Sequence, residues 1–477
     1  MDMTSRPYVL LGMVVGTACA MTQIVGLGAQ ADPRATVTFA KDIAPILQRS
    51  CQHCHRPDSI APMSLLTYED VRPWARSIKA KTALREMPPW FIEKNIGIQQ
   101  FKDDPSLSDK EIATIAQWAD SGAPRGNPAD LPPPRQFTDE SVWTIGKPDL
   151  VVSSPLHVLK AVAADFYGIL DSSPTGLTED RYIKAVEVKE VRLKKDTAAR
   201  RSGDLNLFLV HHAVISGGPV RPLDAPPPSG TEAEVVTQVA RAGGGFNVVY
   251  EVGQNATIYP DALGVKLAAG SAVNWDVHLH SVGTEVPMRI DVGFKFHPKG
   301  YQPKFAGGGV FGVFPTYDLD IPANESNVKL EGAVPVPYPA MMTTFEPHLH
   351  SSGKRMCVEA VYPNGSSEML NCSGYNHNWV KVYAYEDDVA PLLPQGTILK
   401  ISAWYDNTAK NPRVVDPRNW KGYGNRSIDD MFAFLPRVVR LTDAQFKEET
   451  ERREANRRAK TASTQATRPP ANPKGAQ

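Results

Sequence analysis

The stretch Met341–Met356, MMTTFEPHLHSSGKRM, carries His348 and His350 two residues apart behind an apolar run. Alternate side chains of a β-strand face the same way, so these two imidazoles share one face, with Leu349 on the other. Two further pairs stand far from it in the chain: His211 and His212 in LFLVHHAVI, and His278 and His280 in VNWDVHLHSVG. Six of the eleven histidines therefore fall in three short clusters, each in or beside a β-like run. One pair alone is as often an ordinary hydrogen-bonding pair as a metal site. Neutral imidazole, however, suits copper, zinc, iron and nickel, and three clusters from distant segments point to more than one metal ion.

Outward from these clusters, the chain from Trp143 onward is dominated by short β-like runs: YIKAVEVKEVRL, MRIDVGFKF, KRMCVEAVYP, ILKISAWYDN. Such runs favour antiparallel sandwiches. With 477 residues the chain is too long for one core, and 35 glycines and 41 prolines fit a loop-rich β architecture. A formal net charge of zero and the lack of a basic stripe argue against a nucleic-acid partner.

The N-terminus reads as an export signal over residues 1–31: Arg6, an apolar run from Tyr8 to Leu27, and small residues Ala29 and Ala31 before a cleavage point. An uncleaved anchor is the alternative, because the run approaches membrane-spanning length. Cys19 lacks the large aliphatic residue three places earlier that a lipoprotein signal carries. No other segment is apolar enough to span a bilayer. An exported chain, periplasmic or secreted, is expected.

ILQRSCQHCHRPD contains Cys51, Cys54 and His55 in the C-x-x-C-H arrangement that attaches a c-type haem. The thiols form thioethers and the histidine becomes the proximal iron ligand. A redox dithiol or half a zinc site leaves that histidine unexplained, and no second C-x-x-C completes a zinc cluster. Met87, held by Pro88 and Pro89 after an expected helix Arg72–Leu84, is the better-placed sixth ligand, and Met63 is the alternative. A closing helix is signalled by the Ser108/Glu111 capping box, the Leu107/Ile112 staple and the stripe Ile112, Ile115, Trp118, with a stop at Gly122 and Pro124. Residues 37–125 resemble a small cytochrome c domain, and a proline-rich linker, 126–142, follows.

Over Trp143 to Val439 the order His-His, then V-H-x, then H-x-H, then a D-M run resembles the copper type II, ascorbate-dependent monooxygenases, the family of the peptidylglycine α-hydroxylating and dopamine β-monooxygenases. The resemblance implies two jelly-roll-like domains, here 143–308 and 309–440, each holding one copper ion. It assigns His211, His212 and His278 to the first copper, with His280 as an alternative to His278. It assigns His348, His350 and Met431 to the second, the soft thioether favouring Cu(I). Adjacent His211 and His212 point to opposite faces of an ideal strand, so a bulge or twist must bring them together. The implied activity is hydroxylation of a C–H bond by dioxygen, with electrons from the haem or from an external donor such as ascorbate or a redox protein.

The substrate contacts do not match the peptide-hydroxylating members. Glu346, Ala433, Leu435 and Asp276 stand where those enzymes carry arginine, asparagine, tyrosine and glutamine. A Glu346 facing the cleft would repel an anionic substrate. A non-enzymatic electron-transfer or copper-binding protein is the other function class. Counting outward from a two-residue turn at Asn364–Gly365 places Cys357 opposite Cys372, as a cross-strand disulfide or as two buried thiols. A short tether is expected to hold the haem near the first copper site without a tight interface. Residues 441–477 read as a capped charged helix fading into disorder.

Overall fold

The computed structural model describes residues 37–57, 61, 63–137, 143–193, 209–221, 246–251, 256–307, 309–310, 318–424 and 428–466. The expected signal segment, 1–31, lies outside them, as do part of the linker and the last residues of the tail.

Between residues 39 and 120 the regular elements are helices. Ala44–Ser50, Ala75–Ala83 and Asp109–Asp120 pack around Ile43, Leu47, Val71, Ile115 and Trp118. The Ser108/Glu111 capping box forms, and Gly122 ends that helix at φ 87°. The helix expected from Arg72 starts four residues earlier, at Tyr68, because Thr67 and Asp70 form a second capping box. Pro73 falls in a 3₁₀ turn, Arg72–Trp74, before the helix resumes at Ala75. The proline-rich segment folds back on the first helix: Gln48 Nε2 donates to Pro133 O at 3.1 Å, and Arg135 Nη1 donates to Gln48 O at 2.7 Å.

The remainder is mostly antiparallel β-sheet. Its first half has a seven-stranded sheet centred on Arg181–Arg192 and Val286–Phe296. A four-stranded sheet in the order Phe166–Pro174, Ala272–Leu279, Val210–Gly218, Asn247–Glu251 accompanies it. Ile183, Val186 and Ile290 of the first sheet share one core with Ala213, Ile215, Trp275 and Val277 of the second. Odd-numbered residues of Ala272–Leu279 feed that core, so His278 is turned to the opposite face.

The second half contains a four-stranded sheet, Ser326–Pro335, Ile398–Asp406, Gly353–Val361, Ser367–Gly374, and shorter ladders that include Pro347–Leu349 with Phe432–Phe434. Cys357 stands opposite Cys372, and the two are disulfide-bonded. The turn differs from the two-residue form expected. Pairing stops at Val361 and Ser367, and a bulge at Val358/Glu359 shifts the register by one, which brings the cysteines back into line.

The segment Trp90–Lys102, expected inside an independent haem domain, is built into the second β half. Glu93 N donates to Cys372 O and Ile98 N to Leu370 O, both at 2.9 Å. Arg355 Nη2 donates to Glu93 Oε2 at 2.9 Å, and Trp90 meets Tyr383 edge-on at 4.8 Å. The helical part is therefore docked rather than merely tethered. Gly97 makes the approach feasible: at φ 64° a Cβ there would stand 1.9 Å from Leu370 O. Gly97→Ala is expected to destabilise the fold by more than about 2 kcal/mol in chemical denaturation, combining left-handed strain with that overlap.

The C-terminal helix, Asp443–Ala466, begins at a Thr442/Gln445 cap. It is more than a solvated tail: Arg453 and Glu449 are buried, and Arg453 donates to the carbonyl oxygens of Ala390 and Asp387.

Candidate metal centre

The strand Val210–Gly218 pairs with Ala272–Leu279, and its register breaks between Val210 and His212. That break is a β-bulge at His211, and it lets both adjacent histidines face the same side as His278. One ligand nitrogen from each of His211, His212 and His278 lies within 4.8 Å of the others. His280 follows the strand end, its ring 4.9 Å from that of His211.

Asp165 separates the roles of His278 and His280. Its carboxylate meets His278 Nε2 at 3.0 Å and His280 Nδ1 at 2.7 Å. His278 keeps a buried Nδ1 with no partner. It is thus the member presented to the group, with a carboxylate fixing its far nitrogen, the arrangement that orients metal-binding imidazoles.

His348 and His350 share one face of the strand Pro347–Leu349. His348 pairs with Ala433 and Leu349 with Phe432, where the ladder ends, so His350 and Met431 are each the next residue beyond it. Met431 is buried in a small apolar cluster with Ala433, Leu435 and Val249, against Val214. Val249 and Val214 come from the first half, so the two halves meet beside this site. Ala433 and Leu435 serve as packing.

The two histidine groups form one cluster. The His212 and His348 rings are 6.4 Å apart. His377, in the loop after Ser367–Gly374, lies 5.1 Å from the His211 ring and 5.5 Å from the His350 ring. Burial, and then the neighbouring imidazoles led by His377, push the His211 pKa down to about 2. Burial likewise holds His212 and His350 well below the ordinary range. All three stay neutral at physiological pH, the form that binds a metal.

Glu346 is not on a cleft surface. It is fully buried, and burial together with the nearby Glu251 carboxylate raises its pKa well above the ordinary range. Glu251, paired across the ladder with His212, reaches His348 Nδ1 at 3.5 Å. A ligand atom from each of Glu251, Glu346 and His348 also lies within 4.8 Å of the others.

In the helical part, His55 Nδ1 is 3.2 Å from Met63 O, so its Nε2 is the nitrogen left for another partner. Cys51 and Cys54 are unpaired thiols, and burial pushes Cys51 up to about 12. Lys381 of the second β half is half-buried within electrostatic reach of Cys54 and His53. Met87 is half-buried beyond the helix Ala75–Ala83, whereas Met63 packs on the helical core.

Asp165, Glu251 and His377 were not singled out in the sequence. None of them sits in a repeated or paired motif.

No family model matches the chain, and no curated protein does. Solved structures that align with it include the T=1 particle of Penaeus vannamei nodavirus, 12% identical, covering 62% of this chain and 98% of that one, with a TM-score of 0.14. The VP2 subviral particle of infectious bursal disease virus is 8% identical, covering 64% and 73%, with a TM-score of 0.16. An oxalate decarboxylase variant from Bacillus subtilis is 8% identical, covering 65% and 80%, with a TM-score of 0.13. Likenesses this slight carry no argument about this chain.

Proposed function

We propose that this protein is an exported copper-dependent monooxygenase that hydroxylates a C–H bond with dioxygen and takes electrons through its own c-type haem. One observation carries the reading. His211, His212 and His278 of the first β half and His348 and His350 of the second converge, while Nδ1 of His278 and of His350 is buried without a partner. A buried polar atom left unpaired costs about 1–3 kcal/mol, and a bound cation removes that cost. Three imidazoles in one group, and two imidazoles with a methionine in the other, suit copper in both oxidation states. Copper held there would supply one-electron redox chemistry and the activation of dioxygen.

The chain's own residues have separable roles. His211, His212 and His278 hold one ion, and Asp165 orients His278. His348, His350 and Met431 hold the other, with Glu251 beside His348. Cys51 and Cys54 would bind the porphyrin, and the Met63 carbonyl holds His55 Nδ1, leaving Nε2 as the nitrogen that would bind iron. The resemblance to cytochrome c, the resemblance to the copper monooxygenases and the two jelly-roll-like domains belong to this same reading. Covalent haem attachment, the Cys357–Cys372 disulfide and the expected signal all suit a periplasmic or secreted chain. Where related enzymes hold a substrate carboxylate, this chain buries Glu346 beside Glu251, so an anionic substrate has no partner at that position. Among the described residues no helix is long and apolar enough to cross a membrane.

The test is metal analysis of the mature protein together with oxygen uptake driven by ascorbate. One iron and two coppers per chain, and uptake that stops on copper removal, are expected. Two coppers with no oxygen uptake would make the protein an electron carrier or copper binder instead.

A further inference from the structure

His377 carries the strongest signal outside the expected ligand set. Both of its ring nitrogens are buried, and neither has a hydrogen-bond partner. A histidine that only fills space has no reason to bury two unpaired polar atoms, since each costs stability that a carbon side chain would not. Its surroundings are other imidazoles: His211 on one side at 5.1 Å and His350 on the other at 5.5 Å, centroid to centroid. It therefore stands between a member of the first group and a member of the second.

The loop that carries it is held at both ends. Gly374 N donates to Phe91 O at 2.9 Å, and Tyr375 N to Lys354 O at 2.8 Å. The Tyr375 hydroxyl donates to the carbonyl of Leu349, the residue between His348 and His350. Trp379 N closes a turn on Asn376 O at 2.8 Å, and Val380 is buried in the β core. The backbone thus sets the His377 ring against the His-x-His strand.

We propose that His377 is a metal ligand, joining the histidine group of the first β half to that of the second in one copper pocket. It supplies an imidazole at the seam, beside one member of each group. The same loop runs on to Lys381, within electrostatic reach of Cys54. The inference rests on the copper reading above, and its test is separable from it.

The probe is copper itself, titrated as Cu(I) against a chromophoric chelator and as Cu(II) followed by electron paramagnetic resonance, on the full chain with haem attached. His377→Ala is expected to weaken at least one copper by about tenfold or more and to alter its nitrogen hyperfine pattern, and added imidazole should restore both. A packing role would not be rescued by imidazole. If unaltered protein binds no copper, the functional reading fails. If it binds two and His377→Ala binds both with unchanged affinity and spectrum, His377 is no ligand while the reading stands. Should His377→Ala not fold, anomalous diffraction at the copper edge from copper-loaded unaltered protein decides: an ion bonded to a His377 nitrogen supports the inference, and two ions out of its reach overturn it.

Discussion

His348→Ala is expected to remove one copper and leave the other, with the haem untouched. The strand Pro347–Leu349 carries His348, with His350 next after its end, and Met431 immediately precedes the paired strand Phe432–Phe434. Removing His348 takes one of the two imidazoles this strand offers, and the donors left are too few for tight binding. Copper per chain should fall from two to one, and affinity at the damaged site should drop by roughly a hundredfold or more. His211→Ala should do the converse. His348 is packed inside the protein, so circular dichroism must accompany the metal analysis. Two full-affinity coppers in a folded His348→Ala protein would remove the assignment of this pair.

The second large effect concerns the haem. Cys51→Ala with Cys54→Ala should take covalent haem from one per chain to none, read by acid-acetone extraction, since each thiol forms one thioether. Haem extractable from the unaltered protein would contradict the covalent assignment. Met87→Ala should shift the haem spectrum and lower its potential, because a thioether ligand raises it. Met63→Ala should do neither: the contact to His55 comes from the Met63 main-chain carbonyl, which alanine retains.

Local rules read from the sequence account for a definite part of this protein. Alternation along a strand put His348 and His350 on one face. It also required a bulge at His211–His212, and the register break is found there. The same counting set Cys357 opposite Cys372, although the turn between them has another shape and a compensating bulge. Ser108 with Glu111 started a helix because capping needs only neighbours within one turn. All of these depend on residues a few positions apart.

What only the tertiary structure decided depends on segments far apart in the chain. Asp165 reaches His278 across 113 positions, and Glu93 reaches Arg355 across 262. No local period marks either partner. Whether Glu346 faces a cleft is not legible in the sequence; in the fold it is buried together with Glu251. The helical part looked loosely tethered, but Trp90–Lys102 is hydrogen-bonded to the disulfide-bearing hairpin. His377 is a lone histidine in a polar loop, and its place becomes visible only when the Tyr375 hydroxyl ties that loop to Leu349 and seats the ring between His211 and His350. Side-chain chemistry and strand parity are local and legible in one dimension, whereas the convergence of separate strands follows from which faces bury each other.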